Sequence, residues 1–156
     1  MQNGNLEIEK MEILKNKEDI REFPIYRSFI YWELNNKKLH RDNENLKRNL
    51  DIFIIYMGKA QRIEKVSMRE IGEKYNLKKE RVRQIFTKYL LYFILYMFYI
   101  GNLDYNPNDN NVFTDSIELL PNRDKERVIQ HFKDKKPFKY IGPQDLRLIK
   151  RTCKIL

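Results

Sequence analysis

Apolar residues recur along most of the chain at helical spacing, and no segment alternates convincingly with the period of two that a half-buried strand requires. Leu6, Ile8, Met11, Ile13, Leu14 and Ile20 are compatible with a first helix over 6–21, which Pro24 breaks. The aromatic-rich stretch 25–34 (IYRSFIYWEL) predicts a short second helix, ended by Asn35 and Asn36. Leu46, Leu50, Phe53, Ile54 and Met57 fall at i, i+4, i+7, i+8 and i+11, one face of a helix over 46–57. Gly58 stands where a C-terminal stop belongs, and the polar, basic stretch 59–66 reads as loop. Two helices follow, 67–75 and 79–100, the second without Gly or Pro until Gly101 and Asn102. A turn-rich loop covers 102–111, and further helices are predicted over 124–132 and 144–154. The class this implies is all-α. Three parts are expected: an N-terminal helical extension (1–45), a helix-turn-helix domain (46–100) and a loop with a basic helical segment (101–156).

Composition narrows the chemistry. Of 156 residues, 42% are hydrophobic, enough to bury a core, so the chain is not a disordered one. A single cysteine, Cys153, excludes an intramolecular disulfide and any multi-cysteine zinc site. His40 and His131 have no partner in ligand spacing, and no phosphate loop, dinucleotide fingerprint or nucleophile elbow occurs. Neither a cofactor nor an enzymatic activity is therefore expected. Asp104, Asn106, Asn108 and Asp115 match positions 1, 3, 5 and 12 of a calcium loop, but Asp109 replaces the glycine the turn needs, so a polar loop is the expectation. The longest apolar run, 89–100, has 12 residues, where a membrane span takes about 20. The first 17 residues have no apolar signal core. No membrane association is expected, and a cytoplasmic location is.

Charge changes the picture more. The net charge of +9 is segregated: residues 37–88 hold 15 basic and 7 acidic residues, and 121–156 hold 11 and 4. Between them, 89–120 holds 4 acidic residues and no basic one. A charge serving only solubility has no reason to divide this way; a surface for a polyanion does.

The first basic block contains S-M-R-E-I-G-E-K-Y-N-L-K-K-E-R-V-R-Q-I-F-T-K-Y-L, residues 67–90. Ser67 and Glu70 form a capping box, which starts a helix at Met68. A helix-turn-helix needs a small residue where its helices approach, and Gly72 supplies it. It needs a turn residue that tolerates a left-handed backbone, and Asn76 suits. Ile71, Tyr75, Leu77, Val82 and Ile85 would face inward. Lys79, Glu80, Arg83 and Gln84 then form an outward stripe on the first turns of the second helix, the end that enters the major groove in this motif. Arginine suits guanine, glutamine adenine, and glutamate the cytosine amino group. Lys78, Arg81 and Lys88 flank that stripe and are placed to meet phosphates, and Arg62, Lys65 and Arg69 are expected to join them.

These residues resemble region four of bacterial sigma factors, the helix-turn-helix module that reads the −35 promoter element, with E-R-V-R-Q-I at 80–85 as the most specific part. The resemblance covers 46–90. It implies base contacts from the positions of Lys79, Glu80, Arg83 and Gln84, a phosphate near Ser67, and docking of the helix over 46–57 on the β-subunit flap of RNA polymerase. The chain differs from the family at Asn76, where glycine is usual, at Lys79, where arginine or a similar residue is usual, and at Tyr89, where a small alanine is. Nothing upstream resembles the region that melts the promoter, so a lone region-four module is the expectation. The stretch 119–142 (LLPNRDKERVIQHFKDKKPFKYIG) echoes the opening of such a module a second time, against the plainer reading of a basic helical tail.

The expected function is sequence-specific binding of double-stranded DNA in transcription, with RNA polymerase as partner and a nucleoid-associated location. The alternative is a regulator that binds polymerase or a sigma factor through the same fold without reading DNA. A nuclease or recombinase lacks a visible acidic cluster. The apolar run 89–100 must be covered, either by the N-terminal helices of the same chain or by a second copy or polymerase.

Overall fold

A computed structural model describes residues 19–35, 45–101, 103 and 105–134, and these are all helix, turn and loop. After a 3-10 turn at Ile20–Glu22 come α1 (Pro24–Asn35), α2 (Leu46–Ala60), α3 (Met68–Tyr75), α4 (Lys79–Tyr99), α5 (Val112–Glu118) and α6 (Asn122–Asp134). The expected helix over 144–154, nearly all of the one over 6–21, His40, Asp104, Cys153 and the end of the second-module echo lie outside the described residues.

The long helix α4 changes character along its length. Its first turns carry a charged outer face, and from Tyr89 to Met97 every residue is buried. A helix apolar on all sides must be enclosed on all sides, and this chain does it with aromatics. From α1, Tyr26 and Phe29 pack on Phe93 with ring centroids 5.4 and 5.1 Å apart, and Trp32 meets Tyr96 at 5.3 Å. From α2, Phe53 touches Tyr26, Phe29, Phe86, Tyr89 and Phe93. At the far end Phe98 stacks on Phe132 of α6 at 4.4 Å and lies near Phe113 of α5. The run 89–100 is thus covered within the chain, and its buried part offers no apolar face to a second copy or to polymerase. One hydrophobic cluster extends from Ile20 through Val128, drawing on all three expected parts.

Two expectations change. First, α2 does not stop at Gly58; it runs to Ala60 and closes with Arg62 in the left-handed region (φ 62°). The Ile63 N–H donates to the Gly58 carbonyl (2.9 Å) and the Arg62 N–H to that of Lys59 (2.9 Å), the Schellman pattern. Gly58 serves another purpose. A Cβ there would lie 2.6 Å from the Arg21 guanidinium, which packs over it while donating to Asp19, Glu64 (2.7 Å) and the Ile54 carbonyl (3.2 Å). Burial works to raise the Asp19 carboxyl, yet hydrogen bonds and charge from Arg21 outweigh it and hold it below its ordinary value. Second, residues 112–118, which periodicity left unassigned, form α5, capped by the Asn111 side chain accepting from the Thr114 N–H (2.8 Å). Helix α6 buries Leu120 just before it, then Val128 and His131, the latter bonded to the Tyr99 hydroxyl at 3.0 Å. The Lys125–Glu118 ion pair (2.7 Å) ties α6 to α5.

Candidate nucleic-acid interface

Helix α3 begins where the sequence places it. Ser67 has an extended backbone, and its Oγ accepts from the Glu70 N–H at 3.1 Å. The reciprocal bond is absent: Glu70 is exposed and does not reach back, so the capping box is half-formed. The Ser67 hydroxyl hydrogen remains available to an acceptor. Helix α3 ends in a second Schellman motif. Asn76 is left-handed (φ 55°, ψ 46°), the Leu77 N–H donates to the Gly72 carbonyl (2.8 Å) and the Asn76 N–H to that of Glu73 (3.3 Å).

Gly72 is required, though less for the crossing of two helices than for this turn. A Cβ there would lie 2.4 Å from the Leu77 carbonyl oxygen and 3.5 Å from the Val82 side chain. The chain doubles back so tightly that its own backbone fills the space. Three residues, 76–78, separate α3 from α4. Ile71, Val82 and Ile85 are buried between them, with Tyr75 and Leu77 half-buried beside them. Helix α3 is also tied to α2: Lys74 pairs with Asp51 (2.9 Å), and the Tyr75 hydroxyl donates to the same carboxylate.

Lys79, Glu80, Arg83 and Gln84 are all exposed on the first turns of α4, as expected. Glu80 and Arg83 are ion-paired one turn apart, with Arg83 Nε 3.1 Å from Glu80 Oε2. That hydrogen bond holds the Glu80 carboxyl below its usual value, so the stripe keeps its mixed charge. At 100° per residue, Glu80, Gln84 and Thr87 lie on the outward line of α4; Lys79 and Arg83 flank one side and Arg81 and Lys88 the other. Behind it, burial raises the Tyr56 phenol of α2 while the Arg83 charge acts in the opposite direction, and the Tyr56 ring meets Phe86 edge-on at 4.4 Å.

The phosphate candidates divide. Arg62, Lys65, Lys78 and Arg81 are exposed and make no ion pair among the described residues. Arg69 is exposed and pairs with Glu73 on its own helix (3.2 Å). Lys88 is half-buried, its ammonium 5.8 Å from the Tyr92 ring centre, so the chain's own aromatic already engages it. The helix assigned to flap docking turns its stripe inward: Leu46, Leu50, Phe53 and Met57 are all core, and Ile54 is half-buried.

One part of the surface was not foreseen. Arg83, Gln84 and Thr87 of α4 form one wall of a cleft of about 230 Å³. Pro121 and the first turns of α6, with Arg123, Asp124 and Arg127, form the other. The second basic block thereby adjoins the first. A signal existed in the pattern: Leu120, Val128 and His131 bury one face of α6, which leaves Arg123 and Arg127 on its margin. Which helix would lie beside that margin was not readable from spacing.

No helix among the described residues is long and apolar enough to cross a membrane, and no three of their His, Cys, Asp or Glu side chains converge as metal ligands would. Comparison with models of protein families, with characterised proteins and with solved structures finds no match for this chain.

Proposed function

We propose that this chain is a sequence-specific double-stranded DNA-binding transcription factor of the sigma region-four kind, with α4 as its recognition helix. One observation carries the reading. Lys79, Glu80, Arg83 and Gln84 stand exposed on the leading turns of a helix whose Val82 and Ile85 are buried, behind a turn closed at Asn76. A recognition helix needs that division: an inner face that fixes its attitude, and an outer one whose donors and acceptors match base edges. Arg62, Lys65, Ser67, Arg69, Lys78 and Arg81 supply charge and hydrogen-bond donors for the backbone, and the +9 net charge favours a polyanion.

Selection of bound sequences from random duplexes, at stated salt, tests the reading. A preferred site should emerge. On that site Arg83→Ala should cost about 1–3 kcal/mol and relax base preference, whereas Lys65→Ala should weaken all duplexes alike. No enriched sequence, or two substitutions with the same effect on every duplex, refutes it. RNA polymerase as a partner rests on the resemblance alone; capture of polymerase with and without nuclease tests it. The competing protein-interaction reading leaned on an uncovered apolar helix, and burial of Tyr89 through Met97 removes that support.

A further inference from the structure

We infer that α6 is a second arm of the DNA interface, with Arg123 and Arg127 gripping the phosphate strand along one edge of the major groove that α4 enters. This rests on the proposed function and adds to it a surface from the opposite end of the chain.

Three observations lead there. The first is position. Thr87 continues the outward line of α4, yet it is buried (5% exposed) and lines the same cleft as Pro121 and the start of α6. The usable stripe is therefore confined to the turns before Thr87. Lys79 and Thr87 are eight residues apart, about 12 Å at 1.5 Å per residue, and the major groove is about 12 Å wide. A helix entering with its N-terminal end would bring α6 up against the sugar-phosphate strand that borders the groove. The second is charge. Arg123 is exposed and Arg127 half-buried, and neither makes an ion pair among the described residues. Asp124 is the acidic group in the cleft, and Arg83 on the facing wall is paired with Glu80. The cleft is therefore lined by three arginines against one aspartate, Arg83 being shared with Glu80. Guanidinium is the group that matches phosphate oxygens in a two-pronged fashion. The third is rigidity. Helix α6 is held by buried Val128 and His131, by Phe132 stacked on Phe98, and by the Lys125–Glu118 pair. The backbone that carries its arginines is therefore held relative to α4 before any ligand arrives, which lowers the ordering cost of binding.

Contacts of this kind add affinity for every duplex and carry no base information. The experiment is a salt titration of binding by the full chain, on its selected site and on an unrelated duplex. It compares wild type with Arg123→Ala/Arg127→Ala and with Arg123→Lys/Arg127→Lys, each checked for an unchanged helical spectrum and melting point. Each lost phosphate contact lowers the slope of log affinity on log salt by about 0.9. The double alanine variant should lose nearly two units of slope and roughly 10–30-fold in affinity at 0.15 M salt on both duplexes, with base preference unchanged. The lysine variant should keep most of both. Arg123→Glu, at an exposed position, provides a second probe and should weaken binding further than Arg123→Ala.

Unchanged slope and affinity in the alanine variant, with the wild type still selecting a site, overturns the inference and leaves the proposed function standing. So does tighter binding by that variant, since α6 would then obstruct the duplex. Failure of the wild type to prefer any duplex sinks both.

Discussion

Replacing Gly72 with alanine tests the turn on which the recognition helix depends. The new methyl group would lie 2.4 Å from the Leu77 carbonyl oxygen, closer than such carbons come to anything. The obstacle is backbone, so no side chain can swing aside. The turn must open, and the bond from the Leu77 N–H to the Gly72 carbonyl (2.8 Å) is the first to stretch. Forcing a methyl into a filled space costs about 1–3 kcal/mol, and weakening one hydrogen bond about 1 kcal/mol more. Alanine in a helix regains about 1 kcal/mol over glycine. The net is a loss of about 2 kcal/mol, or a melting point lower by roughly 4–8 °C for a chain of this size. Urea and thermal unfolding followed by circular dichroism would measure it. The displaced turn also re-aims α4, so base preference on the selected site should weaken beyond what the stability loss explains. Gly58→Ala is the control. Its methyl meets the Arg21 guanidinium at 2.6 Å, the far end of a flexible side chain that can withdraw. It should lose the Arg21 contacts, destabilise the chain, and leave base preference intact. If Gly72→Ala is as stable as wild type, or more stable as helix propensity alone would have it, the tight turn described above does not exist.

Two further outcomes follow from the same geometry. Asn76 holds a left-handed backbone, so Asn76→Gly should stabilise the chain by a few tenths of a kcal/mol to about 1 kcal/mol, and Asn76→Val should destabilise it by about 1–2 kcal/mol in denaturant titrations; the reverse order would refute the left-handed assignment. The Asp19 carboxyl is held below its ordinary value of 3.8 by Arg21. Its contribution to stability is therefore complete above that value and disappears as pH falls through the lower folded-state value. Asp19→Asn should melt below wild type at neutral pH, with the two curves converging under strong acid; a constant gap across that window would contradict the pairing.

The all-α class, the helix starts at Leu46, Met68 and Lys79, and the stripe of Lys79, Glu80, Arg83 and Gln84 were legible because they depend on local chemistry. Helical spacing, a serine cap and a residue that tolerates φ of 55° act over fewer than ten residues, and the chain carries them in order. The short helix Val112–Glu118 was missed, although Asn111 caps it and Val112, Phe113 and Ile117 mark its buried face. A seven-residue helix shows too few turns for its period to stand out, and packing decides its existence. Gly58 misled for the same reason. Glycine near the end of an apolar stripe reads as a stop, whereas here it makes room for Arg21, reaching in from a segment nearly forty residues earlier.

The sequence by itself settled that 89–100 needed enclosure, since no face of that helix could meet water; whether the cover came from this chain or another depended on aromatic partners at Tyr26, Phe29, Phe53 and Phe132 distributed along its whole length. Only the tertiary structure decided that α6 comes to rest beside the recognition helix. Periodicity specifies which face of a helix is buried and is silent on what lies next to the edge of that face, because the neighbour is chosen by long-range packing. The meeting of two basic blocks, separated by residues 89–120 in the chain, is therefore visible only after folding.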